Sequence, residues 1–205
     1  ITQLKLPLEE PERHRRLDQW WPDIVLALTH ARYASNDPES DMLVPLTSEL
    51  DTILRWYWLP RKTDPNDNWA RGAFGSYEAR NKTVYHDPFL SLTTKFGLCR
   101  YVDSQLPRTY KGGQPLLSYA IEFLISRRHT IYPLSSPLLV STILHHGADP
   151  NQSYTALSPR RETTPWLEAL ECLREAHRRG WMEYYCIDPE RTARWVQILR
   201  LFLEH

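Results

Sequence analysis

The sequence has little of what a disulfide-rich, membrane-spanning or polyanion-binding protein needs. It contains three cysteines and seven glycines in 205 residues, and 25 Lys and Arg balance 25 Asp and Glu. Three widely spaced cysteines make no disulfide framework and favour a reducing compartment, which we expect to be the cytoplasm. No apolar run approaches the roughly 18 residues of a membrane span. The neutral charge balance argues against nucleic acid or a membrane as the partner.

Common catalytic and metal-binding motifs are also missing. The chain contains no GxxxxGK[ST] phosphate loop, no GxSxG nucleophile elbow, no HExxH and no CxxC. Its only adjacent glycines, Gly112 and Gly113, precede a proline and are typical of a turn before a helix. We therefore expect no catalytic residues, no cofactor and no metal ion, and we predict that the chain is not an enzyme.

A metal site is a weaker alternative. It would use Cys172, His177 and Cys186, or the adjacent pair His145–His146, and neither spacing is that of a zinc module. We expect Cys99 and Cys172 to be small buried residues instead. The two histidines are expected at a helix C-terminus, where positive charge is favoured.

An acid–base site is the other weaker alternative. It would use Glu168, Glu171 and Glu175, which recur at helical spacing. Because Arg174 and Arg178 follow three residues after Glu171 and Glu175, the pattern is more typical of ion pairs on an exposed helix face.

What the chain does contain favours short helices between proline turns: it has 16 Pro and eight Trp. Within residues 1–60, apolar residues recur at helical spacing at 11–34 and 43–57, which predicts an N-terminal helical pair. Pro22 should kink or divide the first helix, and Pro45 should lie in the first turn of the second. The predicted apolar stripe of the second helix comprises Leu43, Leu46, Leu50, Ile53, Leu54 and Tyr57.

A polar interval separates this pair from the rest of the chain. Residues 61–84 keep neither helical nor strand periodicity and are expected to form a loop or linker. The charge also changes, because residues 1–60 hold six Lys and Arg against ten Asp and Glu, and the remainder holds 19 against 15. The two parts are expected to attract each other weakly.

The part after the linker, residues 85–205, contains three units with a similar beginning. Each opens with a polar residue, a proline and two apolar residues, at 87–90, 114–117 and 164–167. Proline directly after a capping residue is a favourable helix start. The second unit closes with an apolar run and the turn His-His-Gly-Ala-Asp-Pro-Asn at 145–151.

These units resemble the ankyrin-repeat family, in which a TPLH-type helix start is followed by a second helix and a GADPN-type turn. The match is closest at Leu138–Asn151, where Gly147 falls at the position that needs a positive φ. The helix-start prolines are 27 and 50 residues apart, against a family period of about 33, and leucine replaces the TPLH histidine. The resemblance implies an all-α fold, an α-solenoid in which the N-terminal helical pair packs on degenerate ankyrin-like helix pairs.

The order of motifs along nearly the whole chain is similar to the C-terminal region of fungal NACHT-type signalling NTPases, the fungal counterparts of NOD-like immune receptors. The motifs are NWAR at 68–71, DPFLSLTTKFGLCRYV at 87–102, PLLSYAIEF at 115–123 and RWVQILRLFLEH at 194–205. The resemblance implies an NTPase domain upstream in the same chain and a sensing role for this region in innate immunity. Both ends look cut, so we expect the sequence to be a fragment.

Tryptophan supplies the candidate contact residues. Eight tryptophans exceed what a core of this size requires, and tryptophan is enriched at binding anchors. Trp166 follows a predicted helix start, beside the surface that ankyrin repeats use for binding. The other candidate partner-binding residues are Trp69 and Trp181, and core packing is the alternative for all three.

The leading hypothesis is therefore a non-enzymatic protein-interaction or ligand-sensing region of such a receptor. A free-standing ankyrin-like scaffold or adaptor is the first alternative. An enzyme with a site in the cleft between the helical pair and the repeats is the second. If the repeats stack, the third unit should expose an apolar edge formed by Leu199, Leu201, Phe202 and Leu203.

Overall fold

A computed structural model describes residues 23–24, 26–32, 42–58, 88–106, 114–122, 136–157, 160–178 and 189–205. Within these ranges the chain is mostly helical, with eight helices and one two-stranded sheet, which confirms the predicted all-α class. The helices are α1 (seen at 23–24 and 26–32), α2 (Leu43–Trp58), α3 (Pro88–Lys95), α4 (Cys99–Gln105), α5 (Leu116–Glu122), α6 (Pro137–His145), α7 (Pro165–Arg178) and α8 (Pro189–Glu204). Strands β1 (Tyr154–Leu157) and β2 (Arg160–Thr163) lie between α6 and α7. The predicted linker 61–84 lies outside the described residues.

Proline marks the beginning of the later helices, as the sequence predicts. Helices α3, α6, α7 and α8 begin at a proline, and α5 begins directly after Pro115. Ser136 accepts a hydrogen bond from the backbone N–H of Leu139 at 3.4 Å, and Thr164 accepts one from Leu167 at 3.2 Å. Each side chain satisfies an N–H group that the first helical turn leaves without a partner.

From α2 onward the helices form two rows. In the first row α3 contacts α5, and α5 contacts α7. In the second row α2 contacts α4, α4 contacts α6, and α6 contacts α8. The rows meet where α3 contacts α4 and where α5 contacts α6. This order is compatible with a stack of helix pairs, and its assignment to ankyrin repeats stays a prediction.

One apolar cluster joins both rows, and its most enclosed helices are α3 and α5. All described side chains of 89–99 and 116–121 are buried. Phe89 packs edge-to-face on Tyr101 of α4, with ring centroids 5.5 Å apart. The other helices extend the cluster through residues that include Ile24, Leu28, Leu54, Leu139, Ile143, Ala169, Ile198 and Phe202.

Two helices end at a glycine in the left-handed region. Gly97 follows α3 with φ +71°, and Gly147 follows α6 with φ +85°, as predicted for the latter. The backbone N–H of Ala148 donates to the carbonyl of Ile143 at 3.3 Å, the long bond that closes such helix ends. A Cβ at Gly147 would meet nothing within 4 Å, so only the backbone conformation calls for glycine there.

The predicted apolar stripe of α2 is partly wrong. Leu43 and Leu54 are buried, whereas Leu46 and Ile53 are 54% and 47% exposed, and the side chain of Tyr57 lies outside the described residues. Two polar side chains, Thr47 and Asp51, are buried instead. Both satisfy their hydrogen bonds within the helix: Thr47 donates to the carbonyl of Leu43 at 2.8 Å, and Asp51 accepts from Arg55 at 2.6 Å. Pro45 lies in the first turn, as predicted.

The sequence analysis missed the β-hairpin and misplaced one residue of the C-terminal edge. Phe202 is buried, because its ring packs against Trp166 of α7. Leu199 and Leu201 are partly buried, and Leu203, at 74% exposed, is the one residue of the predicted apolar edge in the exposed class. Helix α7 therefore covers Phe202, which was expected to face solvent.

We predict that Leu117→Ala, in the enclosed helix α5, lowers the free energy of unfolding by about 2–5 kcal/mol, because it leaves a cavity at a side chain with no exposed surface. The matched control is Leu138→Ala on α6, whose side chain is 62% exposed and whose loss should change stability by less than about 0.5 kcal/mol. Urea unfolding of both variants checks the prediction, and equal effects would contradict the burial of α5.

Candidate interaction surface

The side chain of Trp166 is partly buried against the core, unlike that of an exposed contact residue. It is the second residue of α7, and its ring packs edge-to-face on Phe202 with centroids 5.9 Å apart. Its backbone N–H donates to the carbonyl of Pro150 at 3.0 Å. The side chain is partly buried and contributes to the packing of α7 on α8, so Trp166→Ala would disturb stability as well as binding. Trp69 and Trp181 lie outside the described residues.

The β-hairpin directly precedes α7, the helix that carries Trp166. Its antiparallel strands pair Tyr154 with Thr163 at the base and Thr155 with Glu162 one step further out. Tyr154 and Thr163 are buried, and their neighbours along the strands face solvent. We call the exposed side chains of Ser153, Thr155 and Glu162, which lie on the other face of the strands, the hairpin surface; Ser153 donates to Glu162 at 2.7 Å across it.

A buried serine fixes the hairpin to two helices of the first row. Ser118 of α5 donates to a carboxylate oxygen of Glu168 on α7 at 2.6 Å and accepts from the side-chain amide of Gln114 at 2.7 Å. Its oxygen lies 2.9 Å from the hydroxyl of Tyr154 on β1. Because the one proton of Ser118 is directed at Glu168, Tyr154 must donate in this third bond. The hydroxyl therefore connects α5, α7 and the hairpin.

A second polar contact connects the hairpin to α7, on the face that carries the buried Tyr154 and Thr163. The carboxylate of Glu171 pairs with the guanidinium of Arg161 on β2. Its other oxygen lies 3.2 Å from Arg174, the pair that the helical spacing predicts. One carboxylate thus contacts a strand residue and a helix residue, and this restricts how the hairpin can move relative to α7.

The candidate catalytic acids have structural partners. Glu168 is bonded to Ser118, and Glu171 lies between two arginines; the side chain of Glu175 lies outside the described residues. Ser118 next to a carboxylate has the composition of a nucleophile–base pair. Its side chain has no exposed surface, however, so a substrate could not reach the hydroxyl without an opening of the core.

The candidate metal ligands are separated or lie outside the described set. His146 is 2.8 Å from Asp103 of α4, and its ring centroid is 6.3 Å from that of His145. Cys99 is buried, as predicted, 3.4 Å from the hydroxyl of Thr142, and burial raises the pKa of its thiol. The side chains of Cys172, His177 and Cys186 are outside the described residues. Among the residues that are described, no three His, Cys, Asp or Glu side chains converge as metal ligands would.

Sequence reasoning missed the residues that form and hold the hairpin. The strands are four residues each, too short for a period of two to stand out. The available signal was the β-forming pair Tyr154-Thr155 directly after the turn that ends at Asn151. Ser118 gave no signal, since its partners are 36 and 50 residues away in the chain.

Comparisons with models of known protein families, with curated proteins and with solved structures find no match to this chain. Within the described part of the chain, no helix combines the length and the hydropathy that a bilayer crossing requires.

We predict that Ser118→Ala lowers the free energy of unfolding by about 1–3 kcal/mol, because one buried and two partly buried hydrogen bonds lose their common partner. The matched control is Ser104→Ala, since this serine donates only to the nearby carbonyl of Tyr101 and accepts from its neighbour Gln105. Thermal and urea unfolding check the difference, and an unaffected Ser118→Ala would show that the three bonds do not hold the hairpin.

Proposed function

We propose that the chain is a protein-interaction or ligand-sensing region of a larger fungal NACHT-type receptor, and that the hairpin surface belongs to its recognition site. The observation that carries this proposal is the attachment of an exposed hairpin to two helices through Ser118. A loop that is fixed before binding loses little conformational entropy when a partner docks, so a surface of this kind suits recognition.

The ankyrin resemblance gains support from where its motif residues lie. Gly147 has the positive φ that the GADPN-type turn requires, and Asp149 accepts from the backbone N–H of Asn151 at 2.8 Å within that turn. Thr164 caps α7, and Pro165 is its first residue. The two rows of helices have the order that stacked helix pairs need.

The chemistry of the hairpin surface favours a protein partner with a basic group and hydrogen-bonding groups. Glu162 is the charged member of the surface, whereas Arg161 lies on the opposite face of β2 and pairs with Glu171. The surface therefore lacks the basic patch that a nucleic acid or an anionic membrane would need. Because the hairpin also contacts α5 and α7, a docked partner would act on the first row directly, which offers a route to an upstream nucleotide-binding domain.

Two other functions compete with this one. A free-standing scaffold or adaptor would use the same hairpin surface, and an upstream phosphate-binding loop in the same open reading frame would favour the receptor over it. An enzyme would need an accessible reacting group, and the buried state of Ser118 argues against the one nucleophile–base pair that the described residues bring together.

We predict that Glu162→Arg abolishes capture of a fungal protein that the immobilised wild-type chain retains, because it reverses the charge of the hairpin surface and removes the acceptor of Ser153. The matched control is Asp103→Arg, which makes the same charge change at an exposed position on α4 and likewise removes one surface contact, that with His146. Affinity capture from a fungal lysate with quantitative mass spectrometry compares the three baits. Retention of the same protein by Glu162→Arg, or of none by the wild type, would contradict the proposal.

A further inference from the structure

The exposed hydrophobic residues of this protein are concentrated at the two ends of its helix rows. The described residues leave ten large hydrophobic side chains exposed, and nine of them belong to α1, α2, α7 and α8 or, for Met42, directly precede α2. The tenth, Leu138, is on α6. In a stack of helix pairs the terminal pairs usually turn a polar side outward, since each pair buries its apolar surface only against a neighbour. In this chain α2 and α8, the two terminal helices of the second row, both keep exposed apolar side chains.

At one end, α2 presents the leading face, which we define as Leu46, Glu49 and Ile53. These residues lie at i, i+3 and i+7 and therefore share one side of the helix. All three are exposed, and they lie away from the side of Leu43, Thr47 and Leu54, which is buried. The leading face is an acid between two aliphatic side chains.

At the other end, α8 presents the trailing face, which we define as Val196, Arg200 and Leu203. These residues lie at i, i+4 and i+7, and all are exposed on the side away from the buried Ile198. The trailing face is a base between two aliphatic side chains. Neither Glu49 nor Arg200 forms an ion pair with any residue that the structure describes.

The two faces complement each other in spacing as well as in charge. From Leu46 toward the C-terminus of α2, Glu49 follows after three positions and Ile53 after seven. From Leu203 toward the N-terminus of α8, Arg200 also follows after three positions and Val196 after seven. If the two helices are parallel instead, Glu49 lies three positions after Leu46 and Arg200 lies four positions after Val196, a difference of one position. Either orientation brings Glu49 opposite Arg200 with an aliphatic pair on each side, so the α2 of one molecule can dock on the α8 of another.

Helix α7, whose Trp166 packs on Phe202 of α8, adds the exposed Leu167 and Leu170 near the trailing face. This matters because a stable interface buries about 800 Å² on each partner, which is more than one helix face supplies. The acidic end and the basic end follow the charge difference between residues 1–60 and the remainder of the chain.

We propose that the chain self-associates head to tail, with the leading face of one molecule on the trailing face of the next. The charges select this arrangement, because pairing two leading faces would oppose Glu49 to Glu49 and pairing two trailing faces would oppose Arg200 to Arg200. A head-to-tail contact uses two different surfaces, so it continues into an open chain or closes into a ring and does not stop at a dimer. This inference does not depend on the hairpin surface or on the proposed receptor.

Sedimentation velocity of the 205-residue chain from low to high micromolar concentration tests the proposal. The average mass should rise with concentration beyond that of a dimer and fall when salt is added. Glu49→Arg and Arg200→Glu should each raise the apparent dissociation constant about tenfold, and the double variant should return it toward the wild-type value because the pair is restored with reversed signs.

Matched variants separate this contact from other causes of association. Leu203→Glu should weaken association about tenfold, whereas Leu138→Glu, at an exposed leucine away from both ends, should not. Glu162→Arg on the hairpin should also leave association unchanged. A wild-type chain that stays monomeric, which is the result if another segment covers either face, would overturn the proposal. Failure of the double variant to recover, or equal weakening by Leu138→Glu, would overturn it as well.

Discussion

The burial of every described side chain in two short neighbouring helices, α3 and α5, is the constraint on which the rest of the structure depends. A helix with one side in solvent can carry its polar residues on that side. Helix α3 has no such side among its described residues, so its polar side chains must be buried. Thr93 and Thr94 are buried and donate to the carbonyl of Leu90 within their own helix. The ammonium of Lys95 is buried 5.3 Å from the ring centroid of Tyr119 on α5, a cation–π contact between the two helices. With these polar groups satisfied, both helices can be enclosed.

The burial of α5 explains how the exposed hairpin is held in position on the helices. Ser118 has the same burial as its apolar neighbours in α5, and its hydroxyl is directed to groups on β1 and α7. Hydrogen bonds in such surroundings are stronger than those exposed to water, and their loss is correspondingly costly. The hairpin and the buried core are therefore connected through Tyr154 and Ser118, which links the function that we propose to the packing of the first row.

Local signals in the sequence identified the helix starts well. The proline that follows a capping residue was enough to predict that a helix begins at Pro165 after Thr164. The Gly-Ala-Asp-Pro-Asn turn was enough to predict a positive φ at Gly147. Both features depend on residues within a few positions of each other. The apolar stripe of α2 failed at Leu46 because helical periodicity reports which residues share a side, and not which side meets a neighbour.

The candidate site was much harder to predict. Tryptophan at Trp166 was a reasonable anchor from composition, but its contact with Phe202 depends on where α8 packs, 36 residues further along the chain. The hairpin is held by Ser118, a residue type that occurs throughout loops and helices and carries no signal of its own. Contacts of this kind are set by the tertiary arrangement, so neither spacing nor composition indicates them.

Native-state hydrogen exchange, followed amide by amide in increasing denaturant, tests the central claim most directly. If α3 and α5 are enclosed by the other helices, their amides should exchange only through the largest opening, and those of α2 and α8 should exchange through smaller ones, since terminal helices have a neighbour on one side only. Amides of α3 and α5 that exchange as readily as those of α2 and α8 would contradict the account.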